Sequence, residues 1–265
     1  MLRKNPTDWP ANLPLWLHWL ETCPSTNTWA TSHMKTLRHG DVVFTRQQTA
    51  GRGQHGRTWH APPGVLTASF VMDGIPGSQL SGLSLAAGLA VIYAVEDLLP
   101  NLKDILRLKW PNDVWLKERK LAGILCEAAT DGKGSSRAIV GIGLNHRADF
   151  TQSEFDPKAI ANAISLHQVS PHIPDELSLL AQLRHYLLQA SAMLSRSDRP
   201  SESTGLSALL PELRCRDALC DRFITLELPK GKISGQAAGI NASGHLLLRL
   251  PTGQIQAFAS GRISC

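Results

Sequence analysis

Two arginines, two histidines and four glycines fall within fourteen residues: Gly51-Arg52-Gly53-Gln54-His55-Gly56-Arg57-Thr58-Trp59-His60-Ala61-Pro62-Pro63-Gly64. Three of the glycines are spaced G-x-G-x-x-G, a dinucleotide-binding pattern that has meaning only between a strand and a helix. Residues 41–45, short and β-branched, supply the strand. Pro62-Pro63-Gly64 rules out the helix, and residues 65–72 read as another strand. The stretch is therefore a glycine-rich loop between two strands. Its backbone N–H groups and the guanidinium groups of Arg52 and Arg57 suit an anion, most simply a phosphate. Glycine freedom lets such a loop be loose when empty and closed when filled.

Three more places carry chemistry. Lys109-Trp110-Pro111-Asn112-Asp113 runs from a strand into a tight turn. Lys120 ends the tip, residues 117–120, of a hairpin. Gly141 and Gly143 sit in a small-residue strand, 138–144, that leads into Asn145-His146; with no side chains there, something must approach the backbone closely. These places offer cations, one carboxylate, an amide and bare backbone. No serine lies in a G-x-S-x-G elbow, no His/Cys/Asp cluster has metal spacing, and no Walker loop is present, so no metal ligands are expected. Chemistry by positioning and charge stabilisation fits best, as in phosphoryl or nucleotidyl transfer.

The elements that must hold these residues follow from pattern. After a lead-in over 1–12, a strand is expected over 13–21 and a helix over 26–37, capped by Ser25 and stopped by Gly40. Residues 80–99 read as a buried helix, 105–110, 114–116 and 121–127 as strands, and 131–134 as a turn. Asp156-Pro157 opens a helix, Asp175 caps a longer one over 176–195, residues 195–205 form a surface loop, and 206–217 form a last helix. Beyond that the period changes to short strands over 232–240, 245–250 and 254–259, a small β-barrel. The boundary falls near residue 216, giving regions 1–215 and 216–265.

Composition limits the function further. The chain has 265 residues, a net charge of +5 and 43% hydrophobic residues, ample for a core and suited to anionic partners. No block of like charge reads as a nucleic-acid tail. The five cysteines are scattered without a C-x-x-C pair, which points to reduced thiols in a cytoplasmic setting. The uncharged run 75–95 is interrupted by Pro76, Gly77 and Gln79, and the first twenty residues lack a cleavage site, so neither a membrane span nor a signal peptide is expected.

Ser25-Thr26-Asn27, Gln48-Thr49-Ala50-Gly51-Arg52-Gly53, Lys109-Trp110-Pro111-Asn112-Asp113, Lys120-Leu121-Ala122-Gly123-Ile124-Leu125 and Gly141-Ile142-Gly143-Leu144-Asn145 occur in this order. Together they resemble the catalytic domain of biotin–protein ligases. Gly239-Ile240, Gly244-His245-Leu246-Leu247 and Ser260-Gly261 resemble that family's small Src-homology-3-like barrel. The resemblance implies an α+β fold: a mixed β-sheet flanked by helices, of the class II aminoacyl-tRNA synthetase and biotin ligase type, with a C-terminal SH3-like β-barrel. It implies that biotin and ATP, as its Mg2+ complex, give biotinyl-5′-adenylate, which then acylates a lysine of the biotin carboxyl carrier protein of acetyl-CoA carboxylase or a related carboxylase. Too few residues precede Ser25 for the family's DNA-binding domain, so the form expected is ligase-only, with no DNA or membrane partner; a homodimer stays open.

The resemblance also implies roles. Ser25, Thr26, Asn27 and Gln48 match positions around biotin's polar ring, with Gly51, Arg52, Gly53 and Gln54 closing over it. Gly123, Gly141 and Gly143 match backbone that lines the biotin pocket. Lys120 matches the lysine that meets the biotin carboxylate and the adenylate phosphate; Arg57, Trp59, Asn112 and Asn145, with Arg52 and Lys120, match the nucleotide side. Lys120, Arg52 and Asp113 are the expected catalytic groups, Asp113 as acceptor of the amine proton. The chain departs from the usual pattern at Gln54, where arginine is common, and at Arg262, where an acidic residue is usual. A lipoate–protein ligase shares fold and chemistry, and a basic nucleic-acid-binding protein is a rival of another class. Against the latter, Phe223 and Phe258 are too few aromatics for a stacking platform.

Overall fold

The computed structural model describes residues 13–75, 77–130, 136–150, 161–195 and 205–264. The expected lead-in over 1–12, the turn over 131–134, the helix starting at Asp156-Pro157 and most of the 195–205 loop lie outside the described residues. The chain begins with β1 (Leu17–Leu20), α1 (Thr26–Ser32), β2 (Val42–Thr45), the short β3 (Gly51–Arg52) and β4 (Thr58–Trp59), and β5 (Val65–Asp73). Then come α2 (Leu80–Leu98), β6 (Arg107–Lys109), β7 (Asp113–Leu116), β8 (Arg119–Thr130) and β9 (Ser136–Asn145). Helices α3 (Glu176–Ser195) and α4 (Leu210–Arg216) precede β10 (Phe223–Leu228), β11 (Gly231–Ile240), β12 (Leu246–Arg249), β13 (Ile255–Phe258) and β14 (Arg262–Ser264).

Seven strands form one sheet in the order β1-β2-β5-β9-β8-β7-β6. Only β1 and β2 run parallel, so the sheet is mixed. Side chains alternate along each strand, and the two faces differ. Val42, Phe44, Phe70, Met72, Val140 and Ile142 face α2 and α3 in the main core. Val43, Val71 and Ile139 face the other way, packed with Ala30 and Met34. Helix α2 is apolar on all sides because it lies between the sheet and α3. It is long and apolar enough to cross a membrane, but 72% of that stretch is buried within the protein, as for a core helix. Strands β10–β14 make a second, antiparallel sheet in the order β13-β12-β11-β10-β14, the small SH3-like barrel. Its Ile224, Leu226 and Leu246 join the same core as the large sheet.

The structure corrects several expectations. The first helix stops at Ser32, well short of residue 37, with His33 as its C-cap. The glycine-rich stretch is not all loop: Gly51 pairs with Trp59 and Arg52 with Thr58 in a small hairpin, turned by a 3-10 segment over Gln54–Gly56. Lys120 is not at a hairpin tip. Lys117 and Glu118 make that turn with positive φ, and Lys120 is already in β8, opposite Trp115. The last helix begins as a 3-10 turn, Gly205–Leu209. The barrel gains β14, which the turn spacing did not mark, while β10 lies in the strand-like stretch that opens at Asp221 before the Pro229 turn.

Candidate active site

The site is built on one row of the large sheet. Thr45 stands opposite Thr67, Thr67 opposite Gly143, Gly143 opposite Gly123 and Gly123 opposite Asp113. The next row on the same face holds Ser69, Gly141 and Leu125. Directly opposed residues share a face, so small and polar side chains leave a trough in the sheet across these strands. Helix α1 covers one end and the β3–β4 hairpin lies over the rest. The resulting cavity is lined by Thr26, Asn27, Gln48, Arg52, Gln54, Trp59, Asn112, Asp113 and Lys120, among others. The glycine-rich stretch, the Pro-Asn-Asp turn, Lys120 and the Gly141/Gly143 strand thus meet in space.

What approaches the two glycines is protein. A Cβ on Gly143 would lie 2.2 Å from Cζ2 of Trp59, and one on Gly141 would lie 2.4 Å from Oδ1 of Asn27. The Trp59 ring therefore occupies the space that a side chain at Gly143 would take. Its Nε1 is buried with no hydrogen-bond partner among the described residues. The Lys120 ammonium sits 5.2 Å from the Trp59 ring centroid.

At one end of the trough Lys120 Nζ lies 2.6 Å from Asp113 Oδ1, an ion pair at an angle poor for a hydrogen bond. Asn112 donates from Nδ2 to the Ile124 carbonyl (2.7 Å), which holds the turn against β8. At the other end runs a continuous polar chain. Thr26 N–H donates to Gln48 Oε1 (2.9 Å), Ser69 Oγ lies 2.7 Å from the Thr26 hydroxyl, and Ser69 donates to Asn27 Oδ1 (2.6 Å). Asn27 Nδ2 donates to the Leu125 carbonyl (3.2 Å) and to Glu127 Oε2 (2.8 Å), and Arg52 Nη2 donates to the same carboxylate oxygen (2.7 Å). Ser25 caps α1 through Thr28 N–H, which aims Thr26 and Asn27 into the trough.

Glu127 and Lys120 are seven residues apart on β8, roughly 23 Å at strand rise. Through Glu127, Arg52 is held at the Asn27 end of the trough, while the Lys120 ammonium reaches over Gly123. Arg57 donates from Nε to the Gln54 carbonyl (3.2 Å), folding the hairpin tip on itself. Asn145 is buried, lines neither cavity and donates to the Lys120 carbonyl (3.0 Å), which ties the end of β9 to the start of β8. A second cavity adjoins the first, between the hairpin, the start of α2 and the barrel, with Glu127, Ser84, Gly244 and Ser260 on its walls. Trp110 ties the two parts together by donating from Nε1 to the Gly244 carbonyl (2.9 Å). Arg262 is not on either wall and faces Glu227 at 3.9 Å.

Sequence reasoning missed Thr67, Ser69 and Glu127. Polar Thr67 and Ser69 two apart within an otherwise apolar buried strand were the available signal. Glu127 shares the face of Gly123 and Leu125 by the same alternation. The half-buried Cys126 lines the second cavity; desolvation pushes its thiol up to about 12, and the neighbouring Glu127 adds to this.

Residues 19–145 match the Biotin/lipoate A/B protein ligase family, and residues 219–265 match the Biotin protein ligase C terminal domain. The chain is 30% identical over 248 residues to the bifunctional ligase/repressor BirA of Salmonella typhimurium, covering 92% of this chain and 72% of that one. It is 34% identical over 215 residues to the biotin–[acetyl-CoA-carboxylase] ligase of Mycobacterium tuberculosis, covering 79% and 73%. Among solved structures, the biotin protein ligase from Aquifex aeolicus in complex with biotin and ATP aligns with a TM-score of 0.73 at 26% identity, covering 94% of this chain and 97% of that one. The trough, the order of the motifs that line it and these relatives agree: the chain belongs to the biotin–protein ligase family.

Proposed function

We propose that this chain uses ATP to activate biotin in the trough and then passes it to a lysine of a biotin carboxyl carrier protein. A biotin carboxylate oxygen attacks the α-phosphorus of ATP, a P–O bond forms, and the bond to pyrophosphate breaks. The lysine amine then attacks the carbonyl carbon, AMP leaves, and the amine gives up a proton. The observation that carries this reading is the arrangement of the trough: amide and hydroxyl groups at one end, an ammonium paired with a carboxylate at the other, and glycine backbone under an indole between them.

Thr26, Asn27 and Gln48 are the groups for biotin's polar ring, and Trp59 over Gly143 gives its apolar part a flat wall. Lys120 would draw the biotin carboxylate and then the phosphate, a charge-assisted contact in a partly dry site. Asp113, beside it, is the group placed to take the amine proton. Gln54 and Arg57 lie on the hairpin over the nucleotide side. ATP enters as its magnesium complex: the carboxylates at the two cavities, Asp113 and Glu127, each face a cation already, so the ion is left to the phosphates. Residues 1–215 carry the reaction and 216–265 form the barrel beside it. The carrier is that of acetyl-CoA carboxylase or a related carboxylase, met in the cytoplasm.

The test is exchange of labelled pyrophosphate into ATP. Exchange that requires biotin supports the reading, and exchange that requires lipoate instead moves the chain to the neighbouring activity.

A further inference from the structure

We infer that Glu127 is a positioning residue that fastens the β3–β4 hairpin over the ring end of the biotin trough. The inference rests on the biotin reading above, which gives Glu127 no part in holding biotin or closing the hairpin. One carboxylate oxygen, Oε2, receives two donors from different parts of the chain: Asn27 Nδ2 at 2.8 Å from α1 and Arg52 Nη2 at 2.7 Å from the hairpin.

Each half of this arrangement has a consequence. Asn27 spends both its N–H groups on Leu125 and Glu127, which leaves Oδ1 turned toward Ser69. The amide is then fixed in one of its two orientations, in space that a side chain at Gly141 would fill. Arg52 spends one donor on Glu127 among the described residues, and its other N–H groups remain for a ligand. The Arg52 and Glu127 side chains are 46% and 28% exposed, so the pair is weak enough to open and salt can screen it. The hairpin it holds has strands of only two residues each. Such a hairpin has little stability of its own and depends on what its side chains grip. Glu127 thus couples the setting of a ring-binding amide to closure of the hairpin.

The experiment has two readouts. The first needs no substrate: trypsin cleavage after Arg57 in the free protein. Glu127→Gln keeps the volume and an acceptor for Asn27 but removes the charge facing Arg52. It should be cut several-fold faster than wild type, and the difference should shrink in high salt. The second is a double-mutant cycle in the biotin-dependent assay. Glu127→Ala should raise KM for biotin about ten-fold with kcat within about two-fold, as expected when a ground-state contact is lost. In an Arg52→Ala background the same change should cost less than about three-fold, because the partner is already gone. Equal cleavage of Glu127→Gln and wild type, or equal effects of Glu127→Ala in both backgrounds, would overturn the inference. If Glu127→Ala does not fold, as judged by its melting curve, Glu127→Gln carries the same cycle. A wild-type protein that shows no biotin-dependent turnover defeats the functional reading instead, and the cleavage comparison still decides the role of Glu127.

Discussion

Lys120 Nζ rests 2.6 Å from Asp113 Oδ1, so the cation proposed to meet the substrate carboxylate is already held by one. The two side chains are 35% and 22% exposed, which keeps the pair weak and exchangeable. On the proposed reading, an anionic substrate that draws Lys120 away leaves Asp113 without its counter-charge and available as a proton acceptor. A single ion pair can in this way serve both half-reactions, first through its cation and then through its anion.

Removing the cation tests the first half. A charge-assisted bond of this kind is worth about 1.5–3 kcal/mol. Lys120→Ala should therefore slow biotin-dependent pyrophosphate release by roughly ten- to a hundred-fold. A rate close to wild type would place Lys120 outside the reacting centre.

Gly143 tests the floor of the trough. A methyl group there would lie 2.2 Å from the Trp59 ring, which must move. Trp59 belongs to the short hairpin and can swing away, so the damage should fall on the pocket more than on the fold. Overpacking of this kind costs about 1–3 kcal/mol, and Gly143→Ala should weaken biotin binding by roughly ten-fold or more in calorimetry. Unchanged affinity would mean that Trp59 does not bound the biotin site.

The hairpin over the trough should respond to ligand. Glycines at 51, 53 and 56 leave it conformational entropy to lose on closing. Cleavage by trypsin after Arg52 or Arg57 should slow when biotin and ATP are added together. Equal rates with and without them would count against closure.

A pH prediction follows from Asp217, at the end of α4 where the chain turns toward the barrel. Burial raises its pKa above the ordinary 3.8, although Leu219 N–H donates to Oδ1 at 2.8 Å; Oδ2 is buried without a partner among the described residues. A carboxyl raised on folding stabilises the protein fully below its ordinary pKa and loses that contribution as pH rises through the folded value. At neutral pH the buried charge is a cost. Asp217→Asn should raise the melting temperature at pH 7, and the gap should narrow toward pH 4. A variant that melts lower than wild type at pH 7 would show that the charge is used.

Much of this was legible in the chain. The glycines of β9 announced a close approach, and the turn residues placed the Pro-Asn-Asp corner beside the strand that carries Lys120. Long elements such as α2 and β9 were readable because their apolar or small-residue patterns persist over many residues. Short ones were not. The β3–β4 hairpin is held by Trp59 lying on Gly143 and by Arg52 reaching Glu127, contacts between residues far apart in sequence. Lys120 was misplaced at a tip because Lys117 and Glu118 adopt the left-handed turn that glycine or asparagine usually signals. Glu127 was passed over because one carboxylate at the end of a strand looks like solvated surface until its two partners are seen.

The most direct measurement is transfer of labelled biotin to a carrier domain in the presence of ATP and magnesium, with a second carrier whose acceptor lysine is replaced by arginine. Label should appear on the first carrier only, should require ATP, and should be accompanied by one pyrophosphate and one AMP for each biotin attached. Pyrophosphate release without label on the carrier, or label that appears without ATP, would contradict the two-step reaction assigned to the trough.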